Sequence, residues 1–326
     1  MSSLFQRLAA AFRPIAYRGY ELLIMRVLMS LVILRVMPGG TSLTEQPHPV
    51  GLAYWPGIDF SFLADPMAFK IVETVLYVSL AVYCTGRFLF VALPLMLFSV
   101  VAIGTLENSQ GAATHSTQIV ALCLLAQCVW HVYAVIKGRW SDGDSTPSER
   151  RLTEGRMAVW LTQQAIAAAY VVSALSKWIA KGDWVRDSSN FPLQIVKSQQ
   201  MDYYNDLQPP TVDKGDYGIV SDMLRPIADW MEHVLRTYPS WAPLLLAPGF
   251  YLELFAFMLL AGRKTGAIFA VLLIFFHLTI AEMMGLNFKF NIYLLVIFFF
   301  SVPLWFEWAG RKALGGRKLS TDEDDG

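Results

Sequence analysis

Long apolar stretches constrain this chain more than any other feature of its sequence. A helix that crosses a bilayer needs about 20 mostly apolar residues, and about eight stretches meet that length. Their approximate bounds are 19–37, 67–85, 88–106, 115–136, 157–179, 241–261, 265–284 and 290–308. The sequence therefore predicts an all-α integral membrane protein, a bundle of about eight transmembrane helices.

The composition agrees with a membrane protein. Hydrophobic residues make up 55% of the 326 residues and charged residues only 16%, whereas soluble domains are about 25% charged. The 26 basic and 26 acidic side chains cancel, so no net charge indicates a nucleic-acid partner. The expected partner is the lipid bilayer, with a peptide or a membrane protein as a possible second one.

The positions of the basic residues predict the orientation of the bundle. They concentrate in the N-terminal arm, after the second, fourth and sixth predicted spans, and in the tail, whereas short segments on the other side carry hardly any. Short cytoplasmic segments are enriched in Lys and Arg, so both termini are expected to be cytoplasmic. The first apolar stretch is too long for a cleavable signal peptide.

The longest connection, 180–240, is predicted to carry an amphipathic surface helix on the outer side. Its apolar residues recur at helical spacing; they are Val220, Met223, Leu224, Ile227, Trp230, Met231, Val234 and Leu235. The chain then divides into a basic amphipathic arm (1–18), a transmembrane domain (19–308) that includes this loop, and a cytoplasmic tail (309–326).

Ionisable residues inside the predicted spans are the candidates for function, because a charge in the membrane is expensive and usually faces the bundle interior. Lys177, His115 and His277 fall within one layer about 10 Å thick near the outer side, which indicates a cavity. Glu253 lies deeper, about 18 Å along its span. It is expected to be either protonated or paired with a residue of another span.

Each candidate also has a purely structural interpretation. Lys177 can extend to the outer water, with Trp178 and Trp184 as interfacial anchors. His115 can cap its helix, and His277 can be a core histidine bonded to a backbone carbonyl. Arg35 and Glu73, in the outer halves of their spans, are predicted to form a structural ion pair.

Neither a metal site nor a haem site is expected. The three cysteines, Cys84, Cys123 and Cys128, lie in apolar stretches and match no zinc or redox spacing. His115 and His131 share one predicted span but are about 24 Å apart along it. They cannot hold one haem.

Lysine and histidine in an apolar cavity can carry acid–base chemistry. Burial favours the neutral amine of a lysine, which is a strong base. Such a lysine can accept a proton from a substrate hydroxyl, and a nearby histidine can stabilise the developing anion or relay the proton. Lipid-soluble acidic substrates such as hydroquinones would reach this site from the bilayer.

Several motifs resemble the HTTM family, the transmembrane domain shared with vitamin K-dependent gamma-carboxylase. They occur in the family's order across residues 15–308. They are Ser173-Ala-Leu-Ser-Lys177-Trp followed by Gly182-Asp-Trp184, Thr114-His115-Ser116, Tyr238-Pro-Ser-Trp241 before Tyr251-Leu-Glu253, and Phe276-His277-Leu.

The resemblance implies a quinol-dependent enzyme. It assigns to Lys177 the base that deprotonates a reduced quinone, a vitamin K hydroquinone-like cofactor, and to His115 a supporting catalytic role. His277, Glu253 and Trp184 become candidates for substrate binding. Bacterial members of the family make a bacterial plasma membrane the expected location. The chain departs from the carboxylase in having Ser176 before Lys177 and in lacking a large lumenal domain, which argues against peptide carboxylation of the vertebrate kind.

Two other functions stay open at this stage. In a transporter or export partner, Glu253 and His277 would line a path and relay protons. A scaffold or immunity-type protein would have no turnover at all. Substitution of Lys177 distinguishes an enzyme from both.

Overall fold

A computed structural model describes residues 12–37, 58–108, 115–137, 146–179, 219–284, 286 and 288–300. Throughout these ranges the regular secondary structure is helical. Residues 1–11 of the predicted arm, most of the loop before residue 219, Trp184 and the tail lie outside the described part.

Nine α-helices form the described part of the bundle. They are α1 Gly19–Val36, α2 Pro66–Thr85, α3 Leu89–Asn108, α4 His115–Ile136, α5 Pro147–Ile179, α6 Ile219–Thr237, α7 Ala242–Leu254, α8 Gly262–Met284 and α9 Lys289–Phe299. Short 3-10 helices precede α2 (Ser61–Ala64) and α7 (Pro239–Trp241), and another follows α7 (Ala256–Leu260).

Five of these helices are long and apolar enough to cross a membrane: α2, α3, α4, α5 and α8. The chain therefore has the helices of a multi-pass membrane protein. The other three predicted spans are less regular. Helix α1 carries three charged residues, α7 ends after 13 residues, and α9 has 11 residues.

Local sequence explains where the helices begin and end. Asp65 caps α2, because its carboxylate accepts a hydrogen bond from the backbone N–H of Ala68 (2.8 Å) and Pro66 occupies the first turn. Gly86 ends α2 in the left-handed region, at φ +69°. The turn is tight, and α3 starts three residues later.

The main core runs along the middle of the bundle and joins α1, α2, α3, α4, α5, α8 and α9. Met29 and Ile33 of α1 and Cys123 and Leu124 of α4 are fully buried within it. Cys123 and Cys128 are therefore small apolar core residues, as the sequence predicts, whereas Cys84 is only partly buried and its Sγ lies 3.3 Å from Ser30 Oγ. A smaller cluster attaches α6 to α7 and α8 through Leu235, Leu246 and Met283.

The helix termini define two ends of the bundle. The Arg87 end contains the α2–α3 turn, the start of α5 and the start of α8. The Lys177 end contains the last turn of α5 and the start of α4. At the Arg87 end, Glu21 is buried and accepts hydrogen bonds from Arg263 (Nη1 to Oε1, 2.8 Å) and from the Arg18 backbone N–H (2.7 Å).

Tyr17 extends this contact to a second helix. The Arg263 guanidinium lies 4.8 Å from the centre of the Tyr17 ring, and Gln163 of α5 donates to the Tyr17 hydroxyl (2.8 Å). Burial raises the pKa of Tyr17 to about 12, so this hydroxyl stays protonated at physiological pH. The N-terminal segment is thereby attached to both α5 and α8.

We expect Glu21→Ala to destabilise the protein by about 2–3 kcal/mol, because Arg263 loses its buried charged partner. Thermal unfolding of the purified protein in detergent measures the change. The matched control is Glu73→Ala, which removes an ion pair whose lysine, Lys70, is 68% exposed; it should leave the midpoint unchanged. Equal shifts for the two variants would contradict a structural role for Glu21.

The prediction that Arg35 and Glu73 form an ion pair is wrong, because Glu73 pairs with Lys70 instead. Both carboxylate oxygens of Glu73 are engaged within α2, by Lys70 Nζ (2.6 Å) and by the Tyr77 hydroxyl (2.6 Å). These residues are three and four positions away on the same helix face. Among the described residues Arg35 forms no ion pair with Glu73.

Candidate functional site

Five helices surround a cavity of about 320 Å³ toward the Lys177 end of the bundle. Polar side chains project into it from α4, α5, α7, α8 and α9, within an otherwise apolar interior. The lining residues are Gln118, Ile119, Leu122, Ala169, Tyr170, Ser173, Glu253, His277, Phe288 and Asn291.

An ion pair between two helices borders this cavity. Lys177 Nζ of α5 lies 2.5 Å from Glu253 Oε2 of α7, and Ser173 Oγ lies 3.3 Å from the same oxygen. The Glu253 side chain is 7% exposed and that of Lys177 is 25% exposed. Of the two interpretations open for Glu253, pairing with another span is therefore the one observed.

The direction of α5 explains why Lys177 points inward. Side chains on an α-helix lean toward its N-terminus. Lys177 lies in the last turn of α5, so its long side chain extends back into the bundle rather than out to water. This geometry disfavours the interpretation in which Lys177 extends to the outer water.

The end of α7 places Glu253 at an unusual position. The helix stops at Leu254, and the chain continues as a 3-10 helix from Ala256. A carboxylate close to a helix C-terminus experiences the negative end of the helix dipole, which is unfavourable. The ammonium of Lys177 compensates for this, and the two groups hold α5 and α7 together.

A second hydrogen-bonded group lies on the same cavity. His277 Nε2 is 2.8 Å from the Tyr170 hydroxyl, and Asn291 Nδ2 lies 3.4 Å from that hydroxyl oxygen. If the asparagine donates, the tyrosine proton is directed at Nε2, which leaves the histidine proton on Nδ1. His277 Nδ1 is buried without a hydrogen-bond partner in the described part of the chain.

Aromatic rings fix the orientation of this histidine. The ring centre of Phe288 lies 4.8 Å from that of His277, and the ring centre of Tyr170 lies 5.5 Å away. His277 is 3% exposed. Its partner is a side-chain hydroxyl, not the backbone carbonyl of the structural interpretation.

Two of the sequence-predicted residues, Glu253 and His277, line this cavity, and a third, Lys177, contacts Glu253 at its border. His115 begins α4, but its side chain lies outside the described residues; its position is one helical turn before the cavity-lining Gln118. Trp184 also lies outside the described part.

Sequence reasoning missed Tyr170, Ser173, Gln118 and Asn291. A signal was present for two of them, because Tyr170, Ser173 and Lys177 follow one another at helical spacing and form a polar stripe on α5. Gln118 and Asn291 lie near helix starts and carry no comparable pattern.

The donor set does not indicate a metal ion. Among the described residues no group of three His, Cys, Asp or Glu side chains is placed to hold one. The set instead offers a charged pair, two hydroxyls, an imidazole and two amides, which suit an organic molecule with polar oxygens.

No family model, curated protein or solved structure matches the chain. The resemblance to the HTTM family therefore rests on its motifs alone.

Proposed function

We propose that this chain is a membrane enzyme that removes a proton from a hydroxyl of a lipid-soluble acidic substrate, for which a quinol is the best candidate. The observation that carries the proposal is the Lys177–Glu253 pair at the border of a cavity of about 320 Å³. Ionisable and polar side chains that converge at the wall of a pocket are candidates for a functional site.

The proposed architecture has eight spans, with both termini in the cytoplasm of a bacterium and the cavity toward the outer leaflet. The charge distribution supports this orientation, because the Arg87 end carries Arg87, Arg150, Arg151, Arg263 and Lys264. Positive residues favour the cytoplasmic side. In this arrangement α1, α7 and α9 are the three further spans that bring the total to eight.

Within the pair, Glu253 accepts the proton of the Lys177 ammonium, and the free amine then takes the substrate proton. After transfer, the Lys177 ammonium faces the new anion and stabilises it. In this proposal Lys177 is the base, and Glu253 is the group that accepts the ammonium proton and so generates the free amine.

The remaining lining residues fit the head group of a quinol. A bound quinol would supply an acidic hydroxyl and two reducing electrons. Phe288 and Tyr170 offer ring contacts, the amides of Gln118 and Asn291 offer hydrogen bonds to oxygens, and the unpartnered His277 Nδ1 can be satisfied by a ligand oxygen or water.

We expect quinol-dependent oxygen uptake by the full-length protein in nanodiscs, with formation of quinone or its epoxide. Menaquinol, ubiquinol and vitamin K hydroquinone are the probes, and mass spectrometry identifies the products. Glu253→Gln, which keeps the shape but removes the proton acceptor, should lower the rate by about a hundredfold. Glu282→Gln, a carboxylate of α8 outside the cavity, is the matched control. Folded protein that consumes no oxygen with any quinol would refute the proposal.

One observation favours transport as a second candidate. Helix α7 is interrupted directly after Glu253, and broken helices beside ionisable residues are typical of transporter binding sites. Proton-coupled flux into vesicles that is lost in Glu253→Gln, together with an absence of oxygen uptake, would establish this alternative. A non-catalytic immunity-type or scaffold protein would show neither activity.

A further inference from the structure

A second cavity, of about 430 Å³, lies at the opposite end of the bundle from the Lys177–Glu253 pair. It is formed by the α2–α3 turn, the last turns of α4 and the first turns of α5. The lining residues are Gly86, Arg87, Phe88, Leu89, Phe90, His131, Ala134, Val135, Arg151 and Glu154. Along α4, His131 of this cavity is about 20 Å from Gln118 of the first, so the two cavities are separate.

The wall of this cavity combines positive charge with apolar surface. Among the described lining residues, Arg87 and Arg151 contribute two cations and Glu154 one carboxylate. Helix α3 begins at Leu89, so the positive end of its dipole lies at the same wall. Phe88 is 68% exposed and Phe90 is 49% exposed.

A third cation, Arg26, lies directly behind the wall. The Arg26 guanidinium packs against the α2–α3 turn so closely that a Cβ atom at Gly86 would overlap it, and it approaches Gly155 of α5 from the other side. Among the described residues no carboxylate forms an ion pair with Arg26. A partly buried cation without a counter-charge is costly, so Arg26 adds to the positive charge of the described part of this region.

The backbone at the cavity mouth is also strained. Phe88 has φ +51°, a left-handed conformation that L-residues other than Asn, Asp and His seldom adopt. Because α3 begins immediately after it, this conformation sets the direction in which the exposed ring projects. Backbone strain of this kind clusters at binding sites.

We propose that this cavity binds the phosphate group of an acidic phospholipid, with Arg87 and Arg151 as its direct ligands. Arg26 supplies positive charge from behind. Phe88 and Phe90 contact the part of the lipid that adjoins the head group. Basic pockets between transmembrane helices are suited to anionic head groups, and arginine pairs with phosphate through two parallel hydrogen bonds. The exposed rings favour a lipid over free phosphate, since inorganic phosphate has no apolar part to cover them.

The test is a titration of phosphatidylglycerol into delipidated full-length protein, followed by native mass spectrometry, with phosphatidylcholine and inorganic phosphate as competing probes. Wild type should take up one phosphatidylglycerol about tenfold more tightly than phosphatidylcholine. The double variant Arg87→Ala/Arg151→Ala should weaken that binding by about thirtyfold. Lys264→Ala, which removes an exposed cation at the same end outside the cavity, should leave it unchanged.

A second variant separates binding from folding. Arg26→Leu removes a partly buried charge that no carboxylate of the described residues pairs with, so it should raise the thermal stability of the lipid-free protein while it weakens phosphatidylglycerol binding. Three results would overturn the proposal: equal affinity for the two lipids, an equal loss in Lys264→Ala, or displacement of the lipid by inorganic phosphate at comparable concentration. The outcome is independent of whether the Lys177 cavity has enzymatic activity.

Discussion

Replacing Lys177 with arginine is expected to lower quinol turnover by about a thousandfold or more, although the positive charge opposite Glu253 is kept. Arginine does not give up its proton near neutral pH. It can pair with the carboxylate and hold α5 against α7, but it cannot present a neutral amine to the substrate. The rate of quinol-dependent oxygen uptake in nanodiscs measures the loss.

Lys177→Ala is the companion variant that separates chemistry from stability. It removes both the base and the ion pair, so it should lose activity and also lower the thermal midpoint, whereas Lys177→Arg should lose activity with a midpoint close to that of wild type. If Lys177→Arg retained more than about a tenth of the wild-type rate, the residue would act as a fixed positive charge and not as a base.

The helical architecture could be predicted from sequence because it depends on local properties of the chain. Apolar runs of sufficient length fix α2, α3, α4, α5 and α8, since the bilayer imposes the length and backbone hydrogen bonding imposes the helix. Helix α6 covers the stretch for which an amphipathic pattern predicts a helix. The length of an apolar run and an amphipathic pattern can each be read within one segment, without knowing how the segments pack.

The site was predictable only in part because it depends on how different helices are rotated and tilted. The sequence identifies Lys177, His277 and Glu253 as ionisable residues whose placement in the membrane is energetically costly. Counting residues along the spans, however, places Glu253 deeper than Lys177. Contact between them requires that the lysine side chain lean back toward the start of α5. The Tyr170–His277 hydrogen bond likewise depends on how α5 and α8 are rotated about their axes, because both side chains must point toward each other.

The error at Glu73 has the opposite origin. Sequence reasoning looked for a partner on another helix, because a charge inside a predicted span seemed to need one. Lys70 and Tyr77 bind the Glu73 carboxylate from the same helix. Lys70 is exposed near the start of α2, where a charge is less costly than in the middle of a span. A check of positions three and four residues away would have found this pair.

A double-mutant cycle at the central pair is expected to show strong coupling. Lys177→Met leaves the carboxylate of Glu253 buried and unpaired, which should cost about 3–5 kcal/mol. Glu253→Leu leaves the more exposed Lys177, whose side chain can move toward water, so its cost should be smaller. The double variant Lys177→Met/Glu253→Leu replaces two charges with apolar side chains and should be close to wild type in stability, or above it.

The stability of the double variant separates a functional pair from a structural one. A pair retained only for stability should leave the double variant clearly less stable than wild type, although by less than the sum of the two losses, because either single substitution already breaks the contact. A pair retained for chemistry can be removed entirely without harm to the fold, while turnover disappears. Thermal unfolding of the four proteins in one detergent, alongside quinol-dependent oxygen uptake in nanodiscs, measures both quantities. A double variant that stays several kcal/mol less stable than wild type would identify Lys177–Glu253 as a structural contact between α5 and α7.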